Sequence, residues 1–242
     1  MKVSSKYILR EGIEMGYKTI LFDIDDTLLD FKAAEEQALS WLFQDMGVEP
    51  SLAVKNQYKK MNQGFWRDHE VGLLSRQDLL DNRFRLFFEE YEREVDGPKT
   101  EARYRHYLNQ GHQLISNSLE VVENLSQKKD LYVVTNGVSA TQHERLTKSG
   151  LAPYFKKFFI SEEMGVHKPM KEFFDIVFAE IPHIEKERTV IVGDSLTSDI
   201  KGGQVAGIDT IWMNPQEKEA QEIKPTFQIK ELTDLYQILE EF

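Results

Sequence analysis

The stretch Tyr17–Thr27, YKTILFDIDDT, sets the fold: an apolar run from Tyr17 to Phe22 stops at Asp23, and Asp25 and Asp26 follow within three residues. A run this short and this apolar reads as a parallel strand buried on both faces. Carboxylates at its end lie where open α/β sheets bind ligands, beyond the carboxyl edge of the strands. Comparable runs recur at Leu131–Val134 (LYVV), Phe158–Ile160 (FFI), Thr189–Val192 (TVIV) and Thr210–Met213 (TIWM), each bounded by polar or glycine turn signals. Helical patterns lie between them. One holds Leu119, Val122, Glu123 and Leu125, another spans Gln142–Ser149, and a third carries the apolar stripe Phe173, Phe174, Val177, Phe178 and Ile181. Strands alternating with helices predict an α/β fold, a parallel sheet covered on both faces.

Phe31–Ser116 breaks that alternation, with helical periodicity throughout and no convincing strand. Val54, Tyr58, Met61 and Phe65 share one helical face, and Leu80, Phe84, Phe87 and Tyr91 share another. The stretch predicts a cap of about four helices inserted after the first strand, joined near Asp30–Lys32 and again near Ile115–Ser118, with Asp96-Gly97-Pro98 as a turn inside it. The division expected is therefore a core of residues 15–30 and 116–242, a helical cap of 31–115, and an N-terminal extension of 1–14.

Composition narrows the chemistry. The 242 residues include no cysteine, which removes disulfides, thiolate zinc sites and a cysteine nucleophile together. Net charge is −11 with no basic run, the reverse of what a nucleic-acid polymer requires. A small anion is still compatible with an acidic chain, because a metal ion and one or two buried cations suffice to hold it. No apolar run is long enough for a membrane span, and Arg10, Glu11 and Glu14 interrupt what a signal peptide would keep apolar. These features predict a cytoplasmic protein.

Four of the strand ends carry reactive side chains. The first gives Asp23, Asp25 and Thr27; the second, Thr135-Asn136-Gly137; the third is followed within ten residues by Lys168-Pro169; the fourth gives Gly193-Asp194-Ser195, with Asp199 five residues past Asp194. Taken singly, each is an ordinary turn or helix cap. As an ordered set on one sheet edge they supply carboxylates, a hydroxyl and an amine, which is what phosphoryl transfer asks for: positioning and charge neutralisation. Converging carboxylates repel one another unless a cation intervenes, and hard oxygen ligands favour Mg²⁺. The absence of a GxxxxGK[ST] loop, and the position of Arg105-His106 inside the helical insertion, far from any strand end, turn the reading away from nucleotide-loop and histidine phosphatases. His143 and His167 are read as surface residues.

In this order the four segments resemble the four motifs of the haloacid dehalogenase superfamily, over Tyr17 to about Pro215. The resemblance implies a Rossmann-like core, with Asp23 as the nucleophile and Asp25 as the acid/base. It makes Thr135 the phosphate-binding hydroxyl, with Asn136 beside it, and Lys168 the neutralising amine. Asp194 becomes a Mg²⁺ ligand, together with the Asp23 carboxylate and the Asp25 backbone carbonyl. Asp199 is either a further ligand through water or the anchor of Lys168. The true dehalogenases lack the second Asp, so Asp25 implies phosphate esters. The cap, with Asn62, Trp66 and Arg83-Phe84, is similar to the branch that dephosphorylates nucleoside 5′-monophosphates; Trp66 would stack on a base and Arg83 would hold a sugar or phosphate oxygen. A sugar phosphate or phosphoglycolate is the alternative substrate. A receiver-like signalling module is disfavoured by Asp25 and by the insertion.

Overall fold

The computed structural model describes residues 16–220 and 222–239; the predicted extension at 1–14 lies outside them. Elements run in the order β1 (Thr19–Phe22), α1 (Phe31–Asp45), α2 (Leu52–Glu70), α3 (Arg76–Glu89), α4 (Gly97–Leu108), α5 (Ser118–Ser126), β2 (Asp130–Thr135), α6 (Ser139–Lys148), β3 (Lys157–Ile160), α7 (Ser161–Met164) and α8 (Lys171–Glu180). Then come β4 (Thr189–Gly193), a π turn over Leu196–Ile200, α9 (Lys201–Ala206), β5 (Asp209–Met213), β6 (Phe227–Ile229) and α10 (Leu235–Leu239). The strands form one parallel sheet in the order β3-β2-β1-β4-β5-β6. β6 and α10 are additions to what the apolar runs predict; Phe-Gln-Ile is too short for its periodicity to show.

Alternation along β1 divides the core in two. Ile20 and Phe22 pack with Val121, Val122 and Leu125 of α5, Leu146 of α6 and Leu235 of α10. Leu21 faces the other way, with Phe173, Phe174 and Val177 of α8 and Ala206 of α9. Every residue of β1 is buried, as a central strand covered by helices on both sides must be. Phe22 is in register with Val133 on one neighbour and Val192 on the other. The residues just past each strand are thereby brought to a common edge.

The four helices α1–α4 have an apolar centre of their own, in which Tyr58 stacks on Phe84 at 4.9 Å and Phe43 on Phe87 at 5.2 Å between ring centroids. Ring pairs of this kind add to area burial. The two connections to this bundle run side by side: Asp30 N–H donates to Gln113 O at 2.9 Å, and Ile115 N–H to Leu28 O at 2.9 Å. Asp96-Gly97-Pro98 is not an internal turn but the start of α4. The Asp96 side chain accepts from Lys99 N–H at 3.0 Å, and Pro98 sits in the first turn, where no helical donor is lost.

Candidate active site

Asp23 takes its place directly from β1: its N–H continues the ladder to Val192 O at 2.9 Å, and its side chain is buried at the sheet edge. The Lys168 amine lies behind it, 1% exposed, and spends its three protons on Asp23 Oδ1 (2.8 Å), Asp199 Oδ1 (2.6 Å) and Val134 O (2.6 Å). Its own backbone is clasped by Asn136, whose side chain donates to Lys168 O at 2.8 Å and accepts from Lys168 N–H at 2.9 Å. The second oxygen of Asp199 accepts from Ser195 N–H at 3.0 Å. Asp199 can approach this closely because β4 ends in glycine: a Cβ on Gly193 would stand 2.3 Å from its carboxylate.

Three carboxylates converge here. Asp23, Asp194 and Asp199 each bring one oxygen within 4.8 Å of the others. Burial pushes the Asp23 carboxyl up to about 7; Lys168 pulls against that, while Asp199 and Asp25 add to it. Burial and then the charges of Asp23, Asp199 and Asp26 raise Asp194 to about 8. For Lys168, burial alone would lower the pKa, but the two carboxylates outweigh it and the amine stays charged. One buried ammonium among three acids leaves an excess of negative charge that a hard divalent cation fits in charge, donor type and spacing.

Asp25 points elsewhere. Its Oδ2 accepts from Gln142 Nε2 at 2.6 Å, and its Oδ1 from Arg145 Nη1. Gln142 Nε2 also donates to Thr135 Oγ1 at 3.0 Å, and Arg145 Nε to Gly111 O at 2.9 Å. Gln142 and Arg145 are one turn apart on the buried face of α6, and Arg145 is wholly enclosed. Neither stands out in the sequence, where a glutamine and an arginine on a helix read as solvated side chains. Thr135 is buried at the end of β2, and its hydroxyl also accepts from Gly137 N–H at 3.0 Å.

Above the sheet edge lies a cavity of about 460 Å³, floored by Asp23, Asp25, Thr135, Asn136 and Asp194 and walled by the α1–α4 bundle. Bundle and sheet touch at its rim, where Arg76 donates to Gly137 O at 3.1 Å and Thr197 to Glu70 at 3.1 Å. Trp66 and Arg83 both line it. Trp66 is half-buried, with the Arg76 guanidinium 5.9 Å from its ring. Arg83 is 2% exposed and has three of its donors engaged, two on Glu101 (2.8 and 2.7 Å) and one on Asn62 (3.1 Å). His143 is exposed as expected, whereas His167 is half-buried against His69, ring centroids 4.6 Å apart.

Comparison with known proteins places this geometry. The family model for haloacid dehalogenase-like hydrolases matches residues 20–213. YfnB of Bacillus subtilis is 52% identical over 92% of this chain and 95% of its own length. Its crystal structure, bound to magnesium and showing interdomain movement, superposes with a TM-score of 0.89 at 51% identity, covering 93% of this chain and 99% of that one. The pyrimidine 5′-nucleotidase PynA of Streptococcus pneumoniae is 42% identical over 93% of this chain and 96% of its own. The pyrimidine 5′-nucleotidase YjjG of Escherichia coli is 31% identical over 93% and 99%.

Proposed function

Because the chain belongs to the haloacid dehalogenase-like hydrolases and is an enzyme of that family, we propose that it is a Mg²⁺-dependent phosphate monoester hydrolase. Asp23 carries the phosphoryl group in turn, and the substrates are nucleoside 5′-monophosphates. The observation that carries this reading is the Asp23 carboxylate, held between the Lys168 ammonium and the acids Asp194 and Asp199 on the floor of the cavity. Asp23, Asp194 and the Asp25 backbone carbonyl would hold the cation, with Asp199 beside them. When bound, it supplies positive charge to the attacking carboxylate and to the phosphoryl oxygens.

The chain's own residues do the rest. An Asp23 oxygen attacks phosphorus, and the bond to the leaving oxygen breaks as Asp25 gives that oxygen its proton. Asp25 then takes a proton from the water that cleaves the acyl phosphate, releasing inorganic phosphate and restoring Asp23. Acid–base help of this kind is worth about 10²- to 10⁴-fold. Lys168 screens the charge that develops on the Asp23 and phosphoryl oxygens, and the Thr135 hydroxyl and Asn136 stand beside the phosphoryl position. Residues 31–115 act as the cap that covers the leaving group, with Trp66 offering a ring face and Arg83 its remaining donors.

Two relatives named as pyrimidine 5′-nucleotidases, each aligned over more than nine-tenths of this chain, support the nucleotide as substrate. Purified protein is expected to hydrolyse an aryl phosphate with Mg²⁺ and not with EDTA. In a panel of phosphate esters, pyrimidine nucleoside monophosphates are expected to rank first by kcat/KM. A panel in which they rank below sugar phosphates and phosphoglycolate rejects the nucleotide assignment and keeps the phosphatase.

A further inference from the structure

A buried carboxyl group without a hydrogen-bond partner is uncommon, because it has given up water and received nothing in exchange. Glu35, on the second turn of α1, comes close to this: it is 7% exposed, its oxygens take no hydrogen bond from the described residues, and the access they keep is to the cavity that the residue lines. Burial pushes its carboxyl up to about 7, with Lys59 and Arg83 pulling less strongly the other way. The Tyr104 hydroxyl on α4, also on the cavity wall, is likewise buried and unpartnered. Among the charges acting on that phenol, Glu35 is the foremost. The neighbouring Arg83 and Glu101 satisfy each other through two parallel hydrogen bonds, with Asn62 on a third, so they do not account for either unpaired group.

Ionised, as it is above about pH 7, Glu35 would repel a phosphoryl group. It belongs to the bundle wall of the cavity and not to the sheet edge that carries Asp23. We propose that Glu35, with Tyr104 beside it, forms the cap half of a leaving-group subsite that takes a hydrogen-bond donor of the departing nucleoside, either an N–H of the base edge or the ribose 2′-hydroxyl. The assignment rests on the nucleotide reading above. Glu35 supplies an acceptor, Tyr104 a hydroxyl able to donate to a neighbouring carbonyl or accept from a second donor, and the cavity gives the pair direct access to a ligand seated on Asp23.

The test is the ratio of kcat/KM for uridine 5′-monophosphate to that for an aryl phosphate, whose leaving group carries no donor. Removing one hydrogen bond to a charged acceptor is expected to lower this ratio about ten- to hundredfold in Glu35→Ala, less in Glu35→Gln, and measurably in Tyr104→Phe. The melting temperature of Glu35→Gln should not fall, since the variant removes a buried acid that no other residue satisfies. Two analogues separate the sources of the donor: one methylated at the base N–H and one lacking the 2′-hydroxyl. Wild-type protein should disfavour one of them, and Glu35→Ala should treat that analogue and the parent alike. A ratio unchanged within twofold in Glu35→Ala, or no discrimination against either analogue, overturns the subsite while leaving the nucleotidase intact. Wild-type protein that turns over the aryl phosphate and no nucleoside monophosphate overturns both readings.

Discussion

Lys168 has all three of its protons committed inside the protein, and each acceptor is fixed by a different strand end. Its work is therefore electrostatic: it keeps Asp23 a usable nucleophile where burial would hold the carboxyl protonated. Lys168→Met removes the only ammonium among the described residues in contact with Asp23 and Asp199, leaving two buried acids uncompensated. Breaking a buried pair in this way costs about 3–5 kcal/mol, and loss of a charge-stabilising donor lowers kcat by about 10²- to 10³-fold. Thermal melts and aryl phosphate kinetics on the variant should show both losses; near-normal kcat would mean that Lys168 only props the fold. Lys168 was legible in the sequence only as a member of the ordered set at the strand ends, since a lysine before proline taken alone reads as an ordinary loop residue. Glu35 was not, since a lone acid on a helix gives no sign that its surroundings will bury it.

Helix α6 carries information that its own periodicity conceals. Its boundaries were nearly readable, but Gln142 and Arg145 look like solvated polar residues until the helix is laid against the sheet, where they become the partners of Asp25 and Thr135. The guanidinium also donates to Gly111 O in the segment returning from α4, so it ties the acid/base residue to the connection between bundle and sheet. Arg145→Lys keeps the charge but loses the planar fork that reaches both acceptors. Its kcat for an aryl phosphate should fall about tenfold or more while KM changes little, because the substrate's own contacts survive. A rise in KM at constant kcat would instead place Arg145 in binding. At β4 the limit is steric: Gly193→Ala would drive a methyl group into the Asp199 carboxylate, and a strand-end glycine gives no hint of that neighbour in the sequence.

At the scale of the whole molecule, the parallel sheet and the helical insertion followed from the spacing of apolar runs, because a strand buried on both faces leaves a signature that needs no partner to be read. The edge strand β6 and the seating of the bundle over the cavity depended on contacts between distant segments, such as Arg76 with Gly137, which no local pattern encodes. The carboxylate cluster links fold stability to pH. Asp23 and Asp194 are raised from the ordinary 3.8 to about 7 and about 8. Without a bound cation, the stability they contribute is full below about pH 4 and is lost as pH rises through 7 to 8, when the folded state must ionise both. A cation that binds the ionised pair offsets this loss where it is greatest. The rise in melting temperature on adding Mg²⁺ should therefore be small at pH 5.5 and large at pH 8.5; equal shifts at the two pH values would place the ion away from these carboxylates.

Everything in the catalytic account turns on Asp23 becoming phosphorylated. Asp25→Asn, which retains the nucleophile but lacks the base for the second step, should be mixed with an aryl phosphate and Mg²⁺, quenched in acid and mapped by mass spectrometry. The phosphoryl group is expected on the peptide containing Asp23, lost on treatment with hydroxylamine and absent from Asp23→Asn. A phosphoryl group trapped on another residue, or Asp23→Asn protein that still turns over substrate, would contradict it.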